Sequence, residues 1–233
     1  MYRMRLTTAI LDRVVPFGRS RREYELMFNL SKKDLTKRIL GCGDGPASFN
    51  AEMTTDGYSV LSIDPIYQFT GQQIKRRFEE ILDEVLDQVK ATPDCWTWKY
   101  HRNIEDLRRN RCLVMDRFLA DYETGRKQRR YRIAALPDLP FRDGEFELAL
   151  CSHFLFLYSD PYPEAFHVTS AIELYRVADE VRIFPLLTLT QYLSPHIVAF
   201  REAVASMGIK STIETVEYEL QKHGNQMLRL FRS

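Results

Sequence analysis

Apolar, β-rich runs recur along the chain at about 37–42, 58–64, 130–135, 146–152, 180–187, 211–219 and 226–232. They predict seven strands. The early runs alternate with segments of helical length, as βαβ units and a parallel sheet require. One helix is expected over 46–55, ending at Gly57. Another opens at Ser194-Pro195, an N-cap followed by proline, and stops at Gly208. The last two runs flank Lys222-His-Gly-Asn225, a short glycine-containing turn, and predict an antiparallel hairpin. The pattern is α/β: a mostly parallel seven-stranded sheet that ends in a hairpin.

The stretch from Asp64 to the strand near Tyr131 is longer than one crossover helix needs. Within it Ile74, Phe78, Ile81, Leu82, Val85 and Val89 lie at helical spacing. Leu107, Val114, Phe118, Leu119 and Tyr122 suggest a second helix, stopped near Gly125. Thr92 to Tyr100, with two tryptophans, reads as the turn between them. Such helices serve equally as a lid over the sheet's carboxyl edge or as extra packing on its flank. At 233 residues the chain is expected to be one domain, 1–233, with an N-terminal helical segment about 1–35 and a helical insertion about 70–128.

Thirty-three Lys and Arg against 32 Asp and Glu leave a formal net charge of +1. That balance argues against nucleic-acid binding by the whole surface, though not by a local patch. Cys42, Cys95, Cys112 and Cys151 show no C-x-x-C spacing, and reduced thiols in a cytoplasmic protein are the expectation. No apolar run approaches the roughly 20 residues of a membrane span, so no membrane association is expected. The basic segment Met1 to Arg22 suits a first helix covering the site, or a targeting segment.

Chemistry concentrates in Arg38 to Gly45, R-I-L-G-C-G-D-G, and in Asp64 at the end of the next apolar run. A strand that runs into Gly41, Gly43 and Gly45 makes a turn that lets backbone approach a ligand closely. An acid about 20 residues on, where the second strand ends, falls in reach of ribose hydroxyls. A dinucleotide fingerprint would want glycine or alanine three residues past Gly43, where Pro46 stands. No G-x-x-x-x-G-K-[ST] loop for nucleoside triphosphates is present.

With these two features and Leu139-Pro-Phe-Arg-Asp-Gly-Glu-Phe-Glu147 ahead of the apolar run Leu148–Cys151, the chain resembles the class I S-adenosyl-L-methionine-dependent methyltransferases. The likeness spans roughly residues 35 to 160, with Glu147 where the family usually has Asp. It implies a Rossmann-like sheet with helices on both faces and S-adenosyl-L-methionine as cofactor. By the same resemblance Gly41, Cys42, Gly43 and Gly45 contact the methionine and ribose portion, and Asp64 accepts the ribose hydroxyls. Pro65 and Ile66 flank the adenine, and Leu136 and Pro137 touch its ring. Cys151, Ser152 and His153 lie beneath the transferable methyl. The family often carries an acid where Ile39 stands, and another where Ala135 stands.

The function expected is methyl transfer to a small or medium-sized acceptor, by direct in-line displacement. His153 is the candidate catalytic base, because imidazole accepts a proton near neutrality. His167, His196 and His223 read as surface residues, and His101 falls in the insertion. No pair of histidines has metal-ligand spacing, so no metal is expected. Phe154, Phe156, Tyr158, Tyr162 and Tyr67 are expected around the mouth, shared between core packing and ligand contact. The run Arg126-Lys-Gln-Arg-Arg-Tyr-Arg132 is either a solvated loop or a phosphate-contacting patch. The second reading would make the chain an RNA-directed methyltransferase. The motifs also admit a non-catalytic scaffold that binds the cofactor, and, less readily given Pro46, a nicotinamide-dependent oxidoreductase. The sequence leaves the oligomeric state open.

Overall fold

A computed structural model describes residues 15–232. The first 14 residues of the expected N-terminal helical segment lie outside this range. Two short helices open the described chain, α1 (Arg21–Met27) and α2 (Lys32–Leu35). Each starts from a capping box: the Ser20 and Ser31 side chains accept backbone N–H groups, and Glu23 and Asp34 reach back to the cap. The strands β1 (Ile39–Cys42), β2 (Val60–Ile63), β3 (Tyr131–Arg132), β4 (Leu148–Ser152), β5 (Glu180–Phe184), β6 (Lys210–Thr215) and β7 (Gln226–Phe231) form one sheet. Its order is β3-β2-β1-β4-β5-β7-β6. β1 to β5 pair in parallel, and β7 lies antiparallel between β5 and β6. Every residue of β1 and β4 is buried, as parallel strands covered on both faces require. This is the Rossmann-like fold, hairpin included, that the motifs implied.

Several boundaries differ from expectation, each for a local reason. The helix expected over 46–55 is α3 (Phe49–Thr55), because Gly45 and Pro46 are still in the turn. The helix after Ser194 starts only at Ile197, with Gly208 beyond its end at φ 77°. The hairpin joint is not a tight turn: 216–225 form a longer excursion that bridges Trp96 to Gln221 and takes Thr97 N–H onto the Leu220 carbonyl.

Two long helices, α4 (Gly71–Ala91) and α5 (Ile104–Lys127), fill the stretch before β3. On α4 the buried stripe takes Leu86 rather than Val85. Helix α5 runs through Gly125 instead of stopping there. A Cβ at Gly125 would strike the Tyr131 ring, so that glycine serves close packing. Both helices share a cluster with Ile66, Tyr67, Phe69 and Tyr131 at the β3 flank. The remaining helices are α6 (Glu164–Val177) and α7 (Ile197–Ser206), which pack with the sheet around Phe156, Leu174 and Phe200. No helix among the described residues is long and apolar enough to cross a membrane.

Candidate functional site

Pairing puts the ends of three strands at one level. Cys42 is in register with Ile63 of β2 and Cys151 of β4, so Gly43, Asp64 and Ser152 emerge together at the carboxyl edge. Strand order reverses between β1 and β4, which opens a crevice there. Gly43 (φ 68°) and Gly45 (φ 52°) turn the chain through left-handed conformations that a side chain would resist. A Cβ at Gly43 would lie 3.0 Å from that of Phe154, whereas at Gly45 it would meet nothing within 4 Å. Gly45 therefore faces open space at the crevice.

Asp64 anchors this turn. Its Oδ2 accepts the Gly45 N–H at 2.9 Å, and its Oδ1 caps the following 3-10 turn through the Ile66 N–H at 2.8 Å. Each oxygen keeps a further lone pair. Burial raises the carboxyl's pKa against the lowering effect of these two N–H donors. Tyr67 closes the back of the turn, donating its hydroxyl to the Gly45 carbonyl at 2.8 Å.

A second carboxyl lies underneath. Asp44 accepts the Tyr24 hydroxyl at 2.7 Å and the Ser62 hydroxyl at 2.6 Å, and has no cation among its hydrogen-bond partners. Burial lifts its pKa to about 7 against those two hydroxyls, with nearby Asp64 adding to the rise. A Cβ at Gly41 would overlap this carboxylate. The absent side chain at Gly41 is thus accounted for by Asp44, without a ligand.

His153 follows β4 with φ 53°, an unfavourable conformation for a non-glycine residue, fixed by its N–H on the Phe184 carbonyl at 2.7 Å. Its Nδ1 lies 3.0 Å from the Ser152 hydroxyl, which in turn neighbours that of Tyr24. Burial, then the charges of Arg19 and Arg111, hold the imidazole well below its ordinary pKa. The ring is therefore neutral at physiological pH.

Of the residues expected at the site, Gly43, Gly45, Asp64, Ser152 and His153 converge at the crevice. Pro65 and Pro137 are exposed near it, while Leu136 packs with Cys42 and Ile63 in the core. Ile66 is buried in the cluster of the long helices. The Cys42 thiol hydrogen-bonds to Cys151, and that bond and burial push its pKa well up, so Cys42 is inert packing, with Cys151 buried beside it. Among the aromatics, Phe156 and Tyr67 are core residues, whereas Phe154, Tyr158 and Tyr162 remain part-exposed. His167 is fully buried, stacked 5.2 Å from Phe156, and not on the surface as expected. His101 is buried beside Glu23.

Sequence reasoning missed the cluster around Glu23. Arg111 binds both its oxygens, at 2.8 and 3.0 Å, and Tyr218 donates at 3.1 Å. Burial opposes ionisation of Glu23, but Arg111, His101 and Arg19 outweigh it and hold the carboxyl well below its usual pKa. This cluster abuts the glycine turn: Arg111 reaches the Gly18 carbonyl, Gly18 packs against Pro46, and Ser48 donates its N–H to the Arg19 carbonyl at 3.1 Å. A cation at position 111, inside the apolar stripe Leu107, Val114, Met115 and Phe118, was the available signal.

No protein-family model matches the chain. The uncharacterized protein MJ0045 of Methanocaldococcus jannaschii is 32% identical over 223 residues, which span 95% of this chain and 98% of that one. The chain belongs to the MJ0045 family. Solved structures are more distant. The PH0226 protein of Pyrococcus horikoshii matches at 10% identity with a TM-score of 0.48, over 91% of each chain. Magnesium protoporphyrin IX methyltransferase of Synechocystis PCC 6803, solved with bound SAM, matches at 14% identity with a TM-score of 0.46, over 86% of this chain and 73% of its own. Matches at that distance do not assign chemistry to the MJ0045 family.

Proposed function

We propose that the chain binds S-adenosyl-L-methionine at the crevice between β1 and β4 and transfers its methyl group to a small or medium-sized acceptor. One observation carries the reading: Gly45 faces open space while its N–H is held by Asp64, the acid that ends β2. The residues present fit the cofactor. The free lone pairs on Asp64 suit two ribose hydroxyls, and a glycine turn lets backbone lie against the nucleoside. Pro65 and Pro137, both exposed, flank the adenine. Asp138 is bridged to Ala135, the position beyond β3 where the family's adenine-binding carboxylate would stand.

When bound, the cofactor supplies a sulfonium-activated methyl group. The protein's part is to hold the acceptor in line, exclude water and take up a proton where the acceptor releases one. His153 does the last: its ring is neutral and oriented through Nδ1 by Ser152, and in the tautomer whose Nδ1 donates to that hydroxyl Nε2 accepts the proton. RNA is the less favoured acceptor, because the basic run is largely engaged. Arg130 is paired with Asp121 and Asn50, Arg126 lies over Tyr122, and Arg132 lies over Phe141.

Calorimetric titration with S-adenosylmethionine, S-adenosylhomocysteine and NAD tests the reading. The first two should bind, NAD should not, and Asp64→Asn should weaken both by about tenfold or more, some 1.4 kcal/mol. Binding of NAD alone, or of none, would refute it.

A further inference from the structure

Asp44 stands at the inner end of a line of polar groups whose outer end is His153. The His153 Nδ1 lies 3.0 Å from the Ser152 hydroxyl. That hydroxyl donates to the oxygen of Tyr24. Tyr24 in turn donates to Asp44 Oδ1 at 2.7 Å, and Ser62 donates to Oδ2 at 2.6 Å. Packing holds the line in place: the Tyr24 ring is fully buried and stacked 4.3 Å from Phe49, and Ser152 is buried at the end of β4. Strand β1 leaves out a side chain at Gly41, where a Cβ would overlap Asp44 Oδ2.

Each hydroxyl on the line takes one hydrogen bond and gives one, so the inner end sets the sense of the whole. An ionised Asp44 only accepts. Tyr24 then donates inward, Ser152 donates to Tyr24, and the Nδ1–H of His153 donates to Ser152. Nε2 is left as the bare nitrogen. With Asp44 protonated on Oδ1 the line turns round, Ser152 donates to Nδ1, and the ring proton sits on Nε2. The energetics favour a proton at the inner end. Burial, then the charges of Arg19 and Arg111, disfavour one on His153, whereas burial, with nearby Asp64, favours one on Asp44 against its two hydroxyl donors. Cys42, Tyr67 and Tyr131 also face Asp44 and stay neutral near pH 7, while Glu23 faces His153 and stays ionised.

Building on the role given to His153 above, we propose that Asp44 ends a proton relay, in which the proton that His153 takes from a methyl acceptor comes to rest on Asp44 by way of Ser152 and Tyr24. The acceptor's bond to hydrogen breaks, its electron pair stays on the acceptor as the nucleophile, and the proton binds Nε2. The Nδ1 proton passes to Ser152 Oγ, the Ser152 proton to Tyr24 Oη, and the Tyr24 proton to Asp44 Oδ1. One O–H forms on Asp44 and neutralises its carboxylate. The imidazole is neutral before and after. Asp44, Tyr24 and Ser152 touch no substrate; they position and drain the base.

Imidazole 15N spectra of the unliganded full chain test the relay, because the protonated and bare nitrogens of a neutral ring are well separated in shift. The His153 signals are assigned by their loss in His153→Asn, a residue that tolerates the positive φ there. In the wild type the ring proton should move from Nδ1 to Nε2 as pH falls through about 7, with no imidazolium in that window. Asp44→Asn and Tyr24→Phe should each abolish the exchange. A wild-type ring that keeps one tautomer overturns the relay, as does an exchange that survives unchanged in Tyr24→Phe. If Asp44 and Tyr24 only braced the turn, no tautomer change would accompany the titration. The readout needs neither cofactor nor acceptor. Exchange in a protein that fails to bind S-adenosylmethionine keeps the proton line and refutes the methyl-transfer reading; binding without exchange does the reverse.

Discussion

Two buried carboxyls flank the glycine turn and are held in different ways. Glu23 is ionised, because a bidentate Arg111, with His101 and Arg19, outweighs the cost of burying its charge. Asp44 has only the hydroxyls of Tyr24 and Ser62, and burial raises its pKa to about 7. The partner, not the depth, sets the outcome. With a cation in contact a buried acid stays charged, and with hydroxyls alone it comes close to keeping its proton. One side of the turn is thus fixed in charge across the ordinary pH range, and the other titrates within it.

The largest effect should come from Arg111. Arg111→Met leaves Glu23 charged and buried without its main partner, and should cost about 3–5 kcal/mol in urea unfolding. Adding Glu23→Gln to that variant should recover much of the loss. A single-variant loss below about 1 kcal/mol would mean that Glu23 does not depend on its cation, and the contrast with Asp44 would fail.

Next comes the pH dependence of Asp44. Its folded pKa of about 7 lies above the unfolded value of 3.8. The native state therefore binds the extra proton in that window, and the contribution of Asp44 to stability is full below about 4 and lost as pH rises through 7. His153 tilts the other way: its contribution is present above the unfolded value of 6.5 and lost as pH falls below it. The readout is therefore the difference between wild type and Asp44→Asn. The variant should gain on the wild type by up to about 1.4 kcal/mol per pH unit between those limits. Parallel curves would show that Asp44 does not titrate there.

The smallest effect sharpens the same point. Tyr24→Phe removes one hydroxyl from Asp44 and should cost about 1 kcal/mol. Because that hydroxyl lowers the Asp44 pKa, the variant's pH-sensitive window should move upward; a downward move would contradict the assignment.

Much of the fold could be read from the sequence. All seven strands were expected, most legibly β1 and β4, since a strand buried on both faces leaves a continuous apolar signature, whereas the edge strand β6 is only partly buried. The glycines and Asp64 were legible because a turn at a strand end constrains residue type locally. The two acid centres were not, since each is assembled from distant segments. Asp44 meets Tyr24 and Ser62 across 20 and 18 residues, and Glu23 meets Arg111 across 88. Ser20 and Glu23 have capping-box spacing, which explains a helix start but not a bond to α5. His167 escaped for a related reason: its place on α6 looks solvent-facing until Phe156, turned inward at φ 68°, stacks on it.

The hydrogen bond from Tyr218 to Glu23 spans 195 residues and has a consequence for assembly. During synthesis the β1–β2 unit and its glycine turn emerge early, with all their local partners. Tyr218 belongs to the excursion joining the last two strands, and β7 must insert between β5 and β6 before that excursion is anchored at both ends. Contacts at such separation are costly to close and form slowly. A nascent chain can therefore shape the turn long before it completes the charged centre beside it, and a chain cut short of the hairpin never completes it.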